Sequence, residues 1–171
     1  AVENIVLASS DKLYVKSQSF ACSSQTLASG TSGFVELVFN QRYASCKSIF
    51  AINGNGTALS NKQFDSVDLT SANGEYSFMI GGQMFPPVPI STRTAKAQAL
   101  LELRSAVGSI YDKNNSLSIN SVEFGYNGTA AAATVSEPAK FYVGTSLEKL
   151  NSNNLLTGIS TQNSPISYRI Q

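Results

Sequence analysis

The stretch Asp112-Lys113-Asn114-Asn115-Ser116-Leu117-Ser118-Ile119-Asn120-Ser121-Val122-Glu123 sets oxygen-bearing side chains at loop positions 1, 3, 5, 7 and 9, with a glutamate at 12. That is the donor order of a calcium loop, in which oxygens alone surround a hard cation. Leu117 stands where such a loop needs glycine for its sharp turn, and Gly125 with Asn127-Gly128 spoils an exiting helix. Serine and asparagine are so frequent here that the match comes cheaply. The stretch reads as a polar turn feeding a strand, and no metal site is assigned.

Paired carboxylates are the other chemistry this sequence can offer. Asp65 and Asp68 are close in sequence, while Glu75, Glu102, Glu123, Glu137 and Glu148 are scattered. Glycoside hydrolysis needs two such groups about 5–10 Å apart across a cleft. Nothing in the spacing places any two together, so they read as solvated. The chain has no histidine, which removes Ser-His-Asp and Cys-His catalysis and histidine-ligated zinc or haem. Gly54 and Gly56 lack the lysine and helix of a phosphate loop. Arg42, Arg93, Arg104 and Arg169 are isolated. No catalytic, cofactor-binding or metal residue is assigned, and an enzyme is not expected.

Cys22 and Cys46 cannot make a zinc site by themselves. They read as two small buried side chains, with pairing open if adjacent strands bring them together. Asn55-Gly56-Thr57, Asn114-Asn115-Ser116 and Asn127-Gly128-Thr129 match the glycosylation acceptor pattern and carry little weight in a chain this rich in Asn, Ser and Thr.

The elements that would carry any site are mostly strands. Alternation predicts strands beginning at Leu13–Phe20 and over Phe34–Phe39, Ser45–Ile52, Gly74–Ile80, Phe141–Val143, Leu155–Ile159 and Ile166–Ile170. Leu117–Tyr126 reads as another, changing phase near Asn120-Ser121 as a bulge would. Gly81-Gly82 turns the chain, and Pro86, Pro87 and Pro89 forbid a central strand just after it. Phe20, Phe39, Phe50, Phe78, Phe124 and Tyr142 read as core aromatics. One helix is expected over Thr92–Gly108, where Ala95, Ala99, Leu100, Leu103, Ala106 and Val107 recur at three- and four-residue spacings. Ser91 or Thr92 can cap its start and Gly108 its end. About eight antiparallel strands and one inserted helix predict an all-β jelly-roll sandwich, a single domain over residues 1–171.

Composition narrows the partners. Only 13% of the 171 residues are charged and the formal net charge is +1, so no basic footprint for nucleic acid exists. The longest apolar runs, Thr129–Val135 and Phe34–Phe39, are too short to span a bilayer. The 26 Ser, 14 Asn, 11 Thr and 8 Gln make a hydrogen-bonding, weakly charged surface. Such a surface is cheap to strip of water, which suits contacts with copies of itself. The sequence starts Ala1-Val2-Glu3-Asn4, and a processed product or part of a longer chain is expected.

Three stretches carry a resemblance. They are Phe39-Asn40-Gln41-Arg42-Tyr43-Ala44-Ser45-Cys46-Lys47-Ser48-Ile49-Phe50, then Ile80-Gly81-Gly82-Gln83-Met84-Phe85-Pro86-Pro87-Val88-Pro89-Ile90 leading into the helix, and Leu155-Leu156-Thr157-Gly158-Ile159-Ser160-Thr161-Gln162-Asn163-Ser164-Pro165. In this order the chain resembles the major capsid proteins of the double jelly-roll lineage of double-stranded DNA viruses, those of virophages and Polinton-like viruses most of all. The resemblance implies two sandwiches per subunit and pseudo-hexameric trimers that tile an icosahedral shell. It also implies neighbouring capsomers and penton or minor capsid proteins as partners, and a virion assembled inside the host cell. This chain departs by holding one sandwich, which would be the C-terminal half, joined as a homotrimer with a sister jelly roll. Two other readings fit the same surface. One is a secreted carbohydrate-binding or adhesin-type sandwich, weakened by the lack of tryptophan. The other is a single jelly-roll penton or minor capsid protein.

Overall fold

The structure is a computed structural model that describes residues 17, 19–28, 31, 33–54, 74–91, 94–107, 124, 142–148 and 157–171. Among these are β1 (Val35–Phe39), β2 (Ser48–Ile52), β3 (Glu75–Ile80), β4 (Gln83–Ser91), α1 (Lys96–Val107), β5 (Tyr142–Ser146) and β6 (Ile166–Ile170). The fold is mainly β: a four-stranded sheet in the order β1-β6-β3-β4 and a two-stranded ribbon of β2 and β5, every pairing antiparallel.

The pairings are nested. β1 lies against β6, β2 against β5, and β3 against β4. Between the first two pairs the two chain segments stay together. Thr161 N–H donates to the Tyr43 carbonyl, Cys46 and Ile159 exchange backbone hydrogen bonds of 2.8 and 2.9 Å, and Leu147 N–H donates to Lys47. The segment from β1 to β2 is thus bonded first to β6 and the residues before it, then to Leu147 and β5, as it leaves the four-stranded sheet and enters the ribbon. The third pair returns to the four-stranded sheet, where β6 joins β3. Thr161, wholly buried, pins the crossing. Its hydroxyl donates to the Gln41 carbonyl and accepts from Tyr43 N–H.

Period-two burial explains the core. Tyr76, Phe78 and Ile80 of β3 stand opposite Ile170, Tyr168 and Ile166 of β6, and all six are buried. Phe78 stacks on Tyr168 at 5.2 Å between ring centres, and Tyr76 meets Phe78 edge-on at 6.2 Å. Each such side chain stabilises the fold by roughly 1.5–3 kcal/mol through burial alone. Val143 of β5 and Ala99, Leu100 and Leu103 of α1 join the same cluster, with Ile49 and Ala51 of β2 packed against it. The ribbon and helix therefore close the inner face of the four-stranded sheet.

Gly81 and Gly82 make the β3–β4 turn with φ of 59° and 82°, the left-handed pair that matches strand twist in a tight hairpin. The prolines then fall at the edge of the sheet, as their missing N–H groups require. Against the single Ser77 of β3 stand four residues of β4, Pro86 to Pro89, so the bulge lies here. The segment near Asn120-Ser121, where a bulge is predicted, falls outside the described residues. The helix starts at Lys96, after Ser91 has accepted Thr94 N–H on its hydroxyl and Ala95 N–H on its carbonyl.

Other expectations change. Ser17, Ser19 and Phe20 lie outside any strand, because no neighbouring ladder pairs with them. Six strands stand among the described residues, and the others of the roughly eight predicted fall largely outside them. Residues 45–52 divide into the Cys46 bridge and β2, since the chain turns the corner between sheets there. Ile159 is a bridge residue where a closing strand is expected. Phe124 is buried, and the rest of Leu117–Tyr126 lies outside the described residues.

Candidate functional site

The residues with chemical capacity fall into three groups. In the core, Tyr168 and Asn53 share a hydrogen bond of 3.3–3.4 Å that ties the end of β2 to the middle of β6. Nearby, Thr145 of β5 donates to Glu102 of α1 at 3.3 Å, tying helix to ribbon. Tyr76 hydroxyl is buried with no hydrogen-bond partner among the described residues. Its phenol pKa is pushed well up by burial, and further by Tyr168 and the Glu102 carboxylate. Burial likewise raises Tyr168, against the opposing pull of Asn53. Both phenols therefore stay protonated at neutral pH, and neither serves as a base.

At the crossing between sheets, Lys47 pairs with Glu148 at 3.1 Å, and Thr157 donates to the same carboxylate oxygen at 2.8 Å. Arg42 donates to the Gln162 carbonyl at 2.8 Å. Ser45 hydroxyl accepts from Gly158 N–H. These groups fasten two chain segments to each other. The pair is partly solvated and contributes modestly.

On the outer face of the four-stranded sheet, the Arg169 guanidinium lies 4.3 Å from the Phe34 ring centre, a cation–π contact. Its Nη1 reaches the Met79 sulfur at 3.3 Å, while its buried Nε has no partner among the described residues. Ser77 and Ser167 make a small, buried floor on either side of it. An arginine isolated in the sequence thus gains an aromatic neighbour that spacing alone could not reveal.

The described candidate carboxylates stand on different elements: Glu75 opens β3, Glu102 sits on α1 and accepts from Thr145, and Glu148 follows β5 and pairs with Lys47. Asp65, Asp68, Glu123 and Glu137 lie outside the described residues, as does the loop Asp112–Glu123. Among the described residues no group of three His, Cys, Asp or Glu side chains is placed to hold a metal. Cys22 and Cys46 are unpaired, and only Cys46 is buried. The expectation of two buried thiols fails for Cys22 because its segment lies outside the core. Burial pushes the Cys46 thiol pKa up, only partly countered by a hydrogen bond from the Ser48 backbone, so the reactive thiolate is disfavoured at neutral pH.

Aromatic placement also differs from expectation. Phe78 and Phe124 are core residues, and Phe39 and Tyr142 pack half-buried against the core. Phe20 is 86% exposed and Phe50 41% exposed. Among the described residues no helix is long and apolar enough to cross a membrane. No family model, curated protein or solved structure matches this chain.

Proposed function

We propose that this chain is a structural tile of a viral capsid, one jelly roll of a two-sandwich subunit that assembles as pseudo-hexameric trimers. The observation that carries the reading is the nested ladder. A jelly roll is a long antiparallel hairpin wound across two sheets, so that its ends lie side by side. Here β1 pairs with β6 in one sheet, β2 with β5 in the other, and β3 with β4 back in the first. The low charge favours repeated subunit contact, because few ionised groups must lose water.

On this reading the work is mechanical, and symmetry with shape complementarity replaces a reacting group. The partners are copies of itself, its sister sandwich, neighbouring capsomers and penton or minor capsid proteins, in a virion. Negative-stain microscopy of the chain produced together with its sister sandwich tests it. Trimers of pseudo-hexagonal outline are expected. A strictly monomeric species at high concentration overturns the reading, and saturable binding on a glycan array in its place favours a carbohydrate-binding sandwich.

A further inference from the structure

The four-stranded sheet has two edges, and they are built differently. Glu75 and Gln171 exchange backbone hydrogen bonds, so the odd-numbered residues of β3 and β6 bond to each other. N–H and C=O of one strand residue point the same way. The even-numbered residues of β6 therefore bond to Val35, Leu37 and Phe39 of β1, and the even-numbered residues of β3 bond to β4. On β4 this leaves Pro86 and Pro89, beside the bonded Phe85 and Ile90, at positions that face outward. Neither has an N–H to offer, and the bulge between them bends the edge away. That edge is closed to a further strand.

On β1 the outward groups belong to Glu36 and Val38. Among the described residues the Val38 carbonyl has one partner, the Gln25 side-chain amide at 2.7 Å. The core is also unfinished on this side. The inner residues Val35, Leu37 and Phe39 are only half-buried, whereas their counterparts on β3 and β6 are buried. A strand laid outside β1 would shield them.

Residues 19–28 are a segment free to serve as such a strand, and Gln25 already touches the edge at Val38. The segment carries no charged residue, every residue in it is exposed, and it belongs to no helix or strand. Thr31 closes a turn on the Ala28 carbonyl, which brings the segment back toward β1. Yet it meets the edge through one glutamine side chain, with no backbone ladder. Donor segment and acceptor edge are thus both unsatisfied among the described residues of one chain. A second copy satisfies both at once, with two ladders for each pair of copies.

We propose that the outward edge of β1 accepts residues 19–28 of a second copy of this chain, so that two copies exchange these arms. The identity of the partner rests on the self-assembly reading above; the edge does not. Sedimentation velocity of the full chain across a concentration series tests it, with melting temperature as the check on folding. Wild type is expected to reach twice the monomer mass. Val38→Pro removes an outward donor without touching the β1–β6 ladder, and is expected to weaken dimerisation by at least about tenfold. Glu36→Pro, at the other outward position, provides an independent second variant.

The double variant Gln25→Pro, Thr26→Pro removes a donor from each side of the arm and is expected to stay monomeric. Mixed with Val38→Pro, it should form a heterodimer, because one chain keeps the arm and the other keeps the edge. Wild type that remains monomeric throughout overturns the proposal, as does a mixture without heterodimer. Association that survives both Val38→Pro and Glu36→Pro also overturns it, while leaving self-assembly through another surface standing.

Discussion

The two layers of the sandwich carry similar aromatic and aliphatic residues but bury them to different depths. In the four-stranded sheet, β3 and β6 each have a strand on both sides, and Tyr76, Phe78, Tyr168 and Ile170 are shielded almost completely. In the ribbon, β2 and β5 have only each other among the described strands. Phe50 remains 41% exposed and Ile52 63% exposed on its outer face. The face a residue occupies decides first how far an apolar side chain is withdrawn from water, since Val143 on the inner face of the ribbon is fully buried. The sheet supplies the stability and the ribbon closes it.

The largest expected effect tests that division. Phe78→Ala empties the centre of the stacked ring cluster and should cost about 3–5 kcal/mol in chemical denaturation. Phe50→Ala, the same change on the outer face of the ribbon, should cost less than about 1 kcal/mol, as surface substitutions do. Equal losses would mean that the ribbon is as deeply built as the sheet.

Glycines in the second layer and its approach give the next contrast. A Cβ on Gly158 would run into the Cys46 carbonyl, which is backbone and belongs to the bridge that carries the ladder between sheets. Gly158→Ala should cost about 1–3 kcal/mol, the range for overpacking. A Cβ on Gly144 would meet the Phe50 ring at 2.8 Å and the Ile49 carbonyl at 3.2 Å. The ring is partly exposed and can swing away, so Gly144→Ala should be the milder change. The two denaturation midpoints order them, and the reverse order would place the rigid point in the ribbon itself.

These contrasts also mark what the sequence can disclose. Alternation located β1, β3 and β6 to within a residue, because each alternates bulky apolar residues with smaller or more polar ones. The proline cluster announced an edge, since proline cannot donate to a ladder. β2 is different. Ile49 and Ala51 form one face, Phe50 and Ile52 the other, and both are apolar, so the pattern cannot say which turns inward. The same ambiguity put Phe50 in the core by expectation. Arg169 gains its aromatic partner from β6 lying beside β1, whose preceding residue is Phe34. That adjacency joins chain segments more than 130 residues apart and leaves no local trace. The nested pairing is equally non-local.

Alkaline pH separates folded from unfolded chain through the two core tyrosines. Both phenols have raised pKa values in the folded state, chiefly through burial. Below pH 10, the ordinary value, both states keep their protons and these groups leave stability unchanged. Above it the unfolded chain releases protons that the folded chain retains, so stability falls as pH rises. Denaturation midpoints should hold steady up to about pH 9 and decline from pH 10 upward, by less in Tyr76→Phe and Tyr168→Phe. A midpoint that rises across this range would contradict the burial of both phenols.

At neutral pH the same pair should respond to hydroxyl removal with opposite signs. Tyr168 shares its hydroxyl with Asn53, a bond that joins sheet to ribbon. Tyr168→Phe leaves the Asn53 amide short of that partner and should cost about 0.5–1.5 kcal/mol. Tyr76 buries a hydroxyl that has no partner among the described residues, so the folded state already bears its desolvation. Tyr76→Phe removes that cost while keeping the ring against Phe78. It should be neutral or stabilising by up to about 1 kcal/mol. Urea denaturation of the two single variants and the double variant decides it. Because the rings share Phe78 as a neighbour, the double variant also reports coupling between them. A clear loss in Tyr76→Phe would mean that its hydroxyl is satisfied in solution, and the sheet core would then hold a second polar tie beside the one to Asn53.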